Sequence, residues 1–515
     1  MVFQLLHIFQ VGFVVSALSL VLFKLKQLAS YKPGLPLPPG PPARWFWQNP
    51  LPPVEVTGCS RNVSFGSIAR TLSAWVAEYG PVITLKQGSQ VTIIVGRMEA
   101  VTEIMEKNGA VTADRPHSIA ARELLSKGLR MVLEHNNERF RRLRKAMSIH
   151  LQPKSIHKYK PMQMQDAKNL IIDILNDPKN HQTHALRYGA SVILRVTYGK
   201  STPTSNDDPE VMGVHTALGR FQRTMRPGAY LVDRIPIVRY IPGYGREMDR
   251  WHHYEIKLFR EQLARVKNEM ATTDCGPSFA RTLLEHAHEH EMPLDEMAYL
   301  AGSMYGAGSE TSAVGIMSMI LAAACHPEAQ ARVREELDIR VGRDRAPTLE
   351  DAESLPQLQA FILETARWRP IIPHGFAHRA SKDIIWRGYL IPAGAILYGC
   401  LWAISRDPDV FPNPDQFDPQ RWLDEKGRIR TDLKFYAYGQ GRRVCPGMYL
   451  ANDSLFIVFA LLIWSFRIFE RPDAPIDADA YTDTLISRPF PFEVDFIPRM
   501  DEKLLRMMME TEVDA

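Results

Sequence analysis

The stretch Tyr438-Gly439-Gln440-Gly441-Arg442-Arg443-Val444-Cys445-Pro446-Gly447 constrains this chain more than any other. It sets one cysteine in a loop framed by glycines, a proline and two arginines, and an apolar helical run follows from Met448 to about Phe466. A thiol after a glycine-rich turn and before a helix sits near positive partial charge, so its pKa is expected to fall. Such a thiolate is a nucleophile or a metal ligand. No second Cys or His lies within zinc-ligand spacing. A single thiolate suffices where the iron arrives already held by a macrocycle.

The 515 residues are 45% hydrophobic and 23% charged, which suits a large enzyme with a substantial core. A net charge of +4 is too mild to argue for nucleic acid. Five cysteines (Cys59, Cys275, Cys325, Cys400, Cys445) are odd in number and widely spaced, so no disulfide framework is implied and a reducing compartment is expected. Residues 2–23 carry no formal charge and include an apolar run from Val11 to Phe23. Roughly 20 residues span a bilayer core. Lys24, Lys26 and Lys32 follow the run, which places the remainder of the chain in the cytosol. A cleaved signal peptide would need a basic leader and a small-residue cleavage site, and neither is present. Residues 1–31 are therefore read as a single-pass membrane anchor. Residues 32–44, rich in proline, read as a stiff extended hinge, and residues 45–515 as the catalytic domain.

The body reads as mainly helical with small sheets. Strand-like alternation is confined to 82–85, 91–95, 383–386 and 395–398. Helical periodicity covers 139–150, about 295–325, 327–340 and 355–368. No Rossmann or P-loop fingerprint is found, so the chain offers no nicotinamide, flavin or ATP site of its own. The longest helix contains Ala307-Gly308-Ser309-Glu310-Thr311-Ser312. Glycine inside a helix costs about 1 kcal/mol relative to alanine. Two reasons stand open for it: close approach of another helix, or room for a flat cofactor and a small ligand. Glu364 and Arg367 stand at i and i+3, which alone is an ordinary helix pair. His374 and His378 stand at i and i+4, but their segment reads as loop and strand, so a metal site there is not expected.

The cysteine loop resembles the F-x-x-G-x-R-x-C-x-G haem-binding pattern of the cytochrome P-450 superfamily, through Gly441, Arg443, Cys445 and Gly447, with Tyr438 in place of the usual phenylalanine. The long helix is similar to the family's A-G-x-[DE]-T-[TS] element, and Glu364-Thr365-Ala366-Arg367 to its E-x-x-R motif. The resemblance spans about residues 33–500, and the wording of 387–392 and 402–408 looks most like fungal microsomal members of secondary metabolism. It implies the family fold preceded by a transmembrane helix, haem b held by Cys445, and a reaction that uses O2 and electrons from NADPH through NADPH-cytochrome P-450 reductase. Thr311 and Glu310 would deliver protons on the distal side. Arg144, which closes Phe140-Arg141-Arg142-Leu143-Arg144, would bind the haem propionates with Arg379 and Arg443; Phe140 replaces a tryptophan whose N–H usually helps. Glu364, Arg367 and Arg421 would form a buried charged network. Substrate contacts by position are the loop 120–132, Met304, Ala307, Ile371, Phe376, Leu485 and Ile486. They are largely apolar, so a hydrophobic small molecule is expected.

The resemblance therefore implies a monooxygenase at the endoplasmic reticulum membrane, in contact with lipid, its catalytic domain facing the cytosol. Two rivals remain at this level. A dioxygen-independent thiolate-haem isomerase or dehydratase tends to lack the distal threonine, which Thr311 supplies here. A non-enzymatic haem-binding membrane protein would not need an acid and an alcohol side by side.

Overall fold

The computed structural model describes residues 34–42, 49, 67–87, 90–200, 204–226, 228–272 and 276–511. The expected membrane anchor and the ends of the expected hinge lie outside the described residues. Of the hinge, residues 34–42 form an extended segment fastened to the body. Thr84 N donates to Pro39 O at 2.8 Å and Leu390 N to Pro36 O at 2.8 Å. Proline has no N–H to give, so these carbonyls make the bonds that it can make.

The helices that build the site are α1 (Ser67–Tyr79), α2 (Glu138–Leu151), α3 (Lys160–Asn176), α4 (His181–Tyr198), α5 (Pro209–Met225), α6 (Arg246–Thr272), α7 (Leu294–Cys325), α8 (Pro327–Arg340), α9 (Pro356–Trp368) and α10 (Met448–Ser465). The four helices read from periodicity fall on α2, α7, α8 and α9, and the apolar run after the cysteine on α10. Both α8 and α9 begin on a proline, whose missing N–H belongs to the unpaired first turn. Helices α7 and α10 are apolar all round, so they must be enclosed. Each is long and apolar enough to cross a membrane, yet 72% of the most apolar window of each is buried inside the protein. They are the centre of the core, against which α3, α4, α6 and α9 pack.

The sheets are small. The strands are β1 (Val82–Gln87), β2 (Gln90–Val95), β3 (His378–Arg379), β4 (Ile384–Trp386), β5 (Tyr389–Ile391), β6 (Ile396–Gly399), β7 (Phe466–Glu470) and β8 (Val494–Pro498). A four-stranded sheet runs β1-β2-β6-β3. Its β2–β6 pair is parallel, with Thr92 opposite Ile396 and Val95 opposite Gly399. The pairs β4–β5 and β7–β8 stand apart as antiparallel ribbons. The four expected strand segments fall on β1, β2, β4 and β6; β3, β5, β7 and β8 were not expected. The β7 sequence alternates buried and exposed at its start, but it joins α10 without a break, and the apolar run hid the change of period.

The small residues of α7 answer both readings left open by the sequence. A Cβ on Gly308 would meet Ile193 of α4 at 2.7 Å, and a Cβ on Gly189 would meet Ser309 O at 2.4 Å. Close helix approach therefore explains Gly308. Ala307 is exposed in the middle of a helix most of whose residues are buried.

Candidate active site

The cysteine loop is held by its own backbone. Cys445 N donates to Tyr438 O at 2.9 Å and Gly439 N to Tyr436 O at 2.9 Å. Gly441 has φ +58°, and a Cβ there would stand 2.7 Å from Met105 O, so the position excludes other residues twice over. Tyr438, the departure from phenylalanine, gives its hydroxyl to Asn452 Oδ1 at 2.5 Å, on α10. The extra polar group is satisfied within the loop's own helix.

The expectation of a lowered thiol pKa is corrected. Burial pushes the Cys445 thiol up, and the Gly447 N–H and the Arg144 charge pull it down without prevailing. A metal that takes the sulfur deprotonates it outright. The thiol is strongly desolvated and yet exposed by surface area.

A cluster of guanidinium groups surrounds this loop. Arg443 donates from Nε to Ala113 O at 2.7 Å and from Nη2 to Glu134 O at 2.7 Å, while its Nη1 is buried without a partner. It lies 3.5 Å over the Phe140 ring. The replacement of tryptophan thus keeps a flat face under a cation. Arg144 donates to Val444 O, beside Cys445. Arg379 faces Asp114 at 3.6 Å and is half-exposed. A fourth arginine was not singled out from the sequence. Arg115 is buried, donates from Nε to Val132 O at 3.0 Å and also reaches Ala377 O. Burial and the neighbouring Arg443 charge push Arg115 down to about 9, and burial pushes Arg443 down to about 10. Cations that repel one another while desolvated call for an anion. A flat macrocycle with two carboxylates and a central iron fits this donor set: a thiol for the metal, and guanidinium groups with one free N–H for the carboxylates.

The other face belongs to α7. Ala307, Thr311 and Gly315 stand at i, i+4 and i+8, on one side of the helix. A Cβ on Gly315 would meet Leu455 of α10 at 2.7 Å. The crossing point is thus roughly 6 Å along α7 from Thr311 and roughly 10 Å along α10 from its cysteine end. The stripe bearing Ala307 and Thr311 is turned toward the helix that carries the cysteine loop. Thr311 Oγ1 donates to Ala307 O at 2.8 Å, which leaves its lone pairs outward. Glu310 accepts from Gln222 Nε2 of α5 at 2.8 Å, and burial raises its pKa.

Glu364 and Arg367 are fully buried, with Arg367 donating to the carboxylate at 2.8 and 2.6 Å. Arg421 Nε joins at 3.2 Å, and two donors not read from sequence, Trp422 Nε1 and Asp418 N, join at 2.9 Å each. An apolar cluster of its own holds Ile119, Ala120, Leu125, Phe221, Val314 and Ile486, with Ile371 and Leu485 packed against it. The segment at Ile371 and the C-terminal turn are joined by Ser487 N to Ile371 O at 2.8 Å. Phe376 lies under Arg115, 5.6 Å away. Met304 does not join this cluster; it is buried in the main core, because its face of α7 is covered by the surrounding helices. His378 Nδ1 donates to Thr112 O at 2.8 Å, and the described residues contain no metal-holding cluster of His, Cys, Asp and Glu.

The comparisons with known proteins agree with this geometry. The cytochrome P-450 family model matches residues 49–496. A cytochrome P-450 monooxygenase of Postia placenta, number 64, is 47% identical over 90% of this chain and 92% of its own length. A cytochrome P-450 monooxygenase of Armillaria gallica is 34% identical over 85% of this chain and 87% of its own. A zebra fish cytochrome P-450 solved with progesterone has a TM-score of 0.71 at 24% identity, over 84% of this chain and 99% of that one, which bears on the fold. A flat-cofactor cradle around one cysteine, under a helix with an acid–alcohol pair, and relatives at this identity lead to one conclusion: the chain belongs to the cytochrome P-450 family, as a haem-thiolate monooxygenase with fungal relatives.

Proposed function

We propose that this monooxygenase is anchored in the endoplasmic reticulum membrane and oxidises a hydrophobic small molecule, a fungal secondary metabolite, with electrons passed from NADPH through NADPH-cytochrome P-450 reductase. One observation carries the reading: a cysteine in a glycine-framed loop whose neighbouring Arg443 is partly buried, with one guanidinium nitrogen lacking a hydrogen-bond partner. Haem, when bound at Cys445, supplies dioxygen activation and oxygen insertion into a C–H bond. The chain's own residues do the rest. Arg443, Arg144, Arg115 and Arg379 would hold the carboxylates of the cofactor. The apolar cluster around Phe221, Ile371, Leu485 and Ile486 binds substrate and excludes water, which favours an apolar ligand. Thr311 orients a proton toward the reacting centre, and Glu310 replenishes it. The Glu364–Arg367–Arg421 network fixes the backbone that leads into the cysteine loop.

Membrane residence is supported by the sequence of residues 1–31 and by a surface patch. Leu231, Ile235, Ile237, Tyr240 and Ile241 are all exposed within eleven residues, beside exposed Arg234 and Arg246. A patch of this kind marks an interaction surface. Deletion of residues 1–31 is expected to leave a haem-loaded protein that high salt or mild detergent extracts more readily. A variant unable to fold even in detergent would refute the assignment of that segment as an anchor.

The direct test is the reduced carbon monoxide complex of the purified protein, with Cys445→Ser beside it. The thiolate signature is expected in the first and lost in the second, because an alcohol is a poor iron ligand. Its persistence in Cys445→Ser would remove Cys445 as the ligand. Incubation with the reductase, NADPH, O2 and a panel of terpenoids, polyketides and fatty acyl compounds, followed by mass spectrometry, then identifies the substrate by a gain of oxygen.

A further inference from the structure

Glu310 does not stand alone beside Thr311. Its Oε2 accepts from the amide of Gln222 at 2.8 Å, and Gln222 belongs to α5, a different helix from α7. His215 precedes Gln222 by seven residues, two turns of helix, and so lies on the same face of α5. Its Nε2 is buried without a hydrogen-bond partner. Arg488 stands at the end of the C-terminal turn, where its N donates to Thr482 Oγ1 at 3.1 Å and Thr482 N donates to its carbonyl at 2.9 Å. Arg488 itself is exposed. Its charge acts on both Glu310 and His215. The groups that face Glu310 are thus Gln222 from α5 and Arg488 from the C-terminal turn, with His215 the titratable residue on the α5 face.

We propose that Gln222 is the positioning residue of Glu310, holding the acid beside Thr311 from α5. The inference rests on the monooxygenase mechanism above and adds the residue behind the acid. One further fact supports it. Burial raises the Glu310 carboxyl, which brings it closer to the range where an acid both donates and is refilled. Leu218 and Phe221, next to Gln222 on α5, belong to the apolar substrate cluster.

The test uses the haem-loaded full chain and infrared difference titration, with Glu310→Gln to identify the carboxyl band that belongs to Glu310. The Gln222 N–H bonds the charged carboxylate, so Gln222→Leu is expected to raise the protonation midpoint by about one pH unit, a tenfold change in the equilibrium. Gln222→Lys places a full charge at the same atom and is expected to move the midpoint below that of the wild type. A merely structural role would move both variants the same way or neither. In the system with reductase and NADPH, the pH profile of oxygen consumption is expected to follow the infrared midpoints. Midpoints that stay unchanged, or that move together, would overturn the proposal. A wild-type protein without the thiolate signature would instead overturn the monooxygenase reading, so the two failures are separable.

Discussion

Glu364→Ala isolates the part of the structure that should matter most to cofactor retention. In the wild type the carboxylate accepts two bonds from Arg367 and one each from Arg421, Trp422 and the Asp418 backbone. Removal leaves Arg367 with three carbonyl acceptors, Ser405 O, Pro414 O and Gln416 O, and no counter-charge in a fully buried site. Breaking a buried pair in this way costs about 3–5 kcal/mol. The orphaned Trp422 N–H adds a cost of about 1–3 kcal/mol if nothing replaces its acceptor. Against a total stability of about 5–15 kcal/mol, the variant is expected to lower the urea midpoint sharply and to purify with little haem. Arg421→Ala is the internal control. Its guanidinium is 9% exposed and makes a longer contact, so water can replace part of it and the loss is expected to be smaller. Haem content and urea midpoint would be measured on the same preparations. A Glu364→Ala protein with full haem content and an unchanged midpoint, or one less affected than Arg421→Ala, would refute the network argument.

Thr311→Ala should let NADPH oxidation continue while product falls by about 10²–10⁴-fold, the usual worth of a positioned acid–base group. Peroxide release per NADPH should rise and substrate-induced spectral shifts should persist. Equal coupling in both proteins would remove Thr311 from the mechanism and revive a dioxygen-independent reaction. Acid should destabilise the protein through its buried histidines. His150, His181 and His326 are each pushed by burial from 6.5 to about 4. The unfolded chain takes up those protons first, so this stability is complete above pH 6.5 and is lost as pH falls toward 4. Each group then accounts for about 3 kcal/mol. Urea midpoints that do not change between pH 7 and pH 5 would contradict that assignment.

Much of the helical frame was legible because its signals are local. The apolar runs of α7 and α10, the prolines that open α8 and α9, and the glycine-framed cysteine all act within a few residues. What stayed hidden depends on distance along the chain. Arg115 reaches Ala377, 262 residues away, and in the sequence it is only an arginine before a proline. The partner of Glu310 lies 88 residues earlier, on α5. The thiol pKa was misjudged because a helix end and arginines can be read from a sequence, whereas the depth of burial that outweighs them cannot. Met304 and Ala307 look alike in the sequence, and only the neighbours of α7 decide that the first is core and the second is exposed.

The contact between Gly308 and Ile193, and between Gly189 and the Ser309 carbonyl, has a mechanical consequence. Here α4 touches the backbone of α7 directly behind the residues that face the cofactor side. A well-packed interior has low compressibility, so a ligand that pushes on Ala307 pushes against an anvil. The helix cannot retreat toward α4 without closing that contact. The same contact holds the 308–311 turn, and with it Thr311, at a fixed distance from α4.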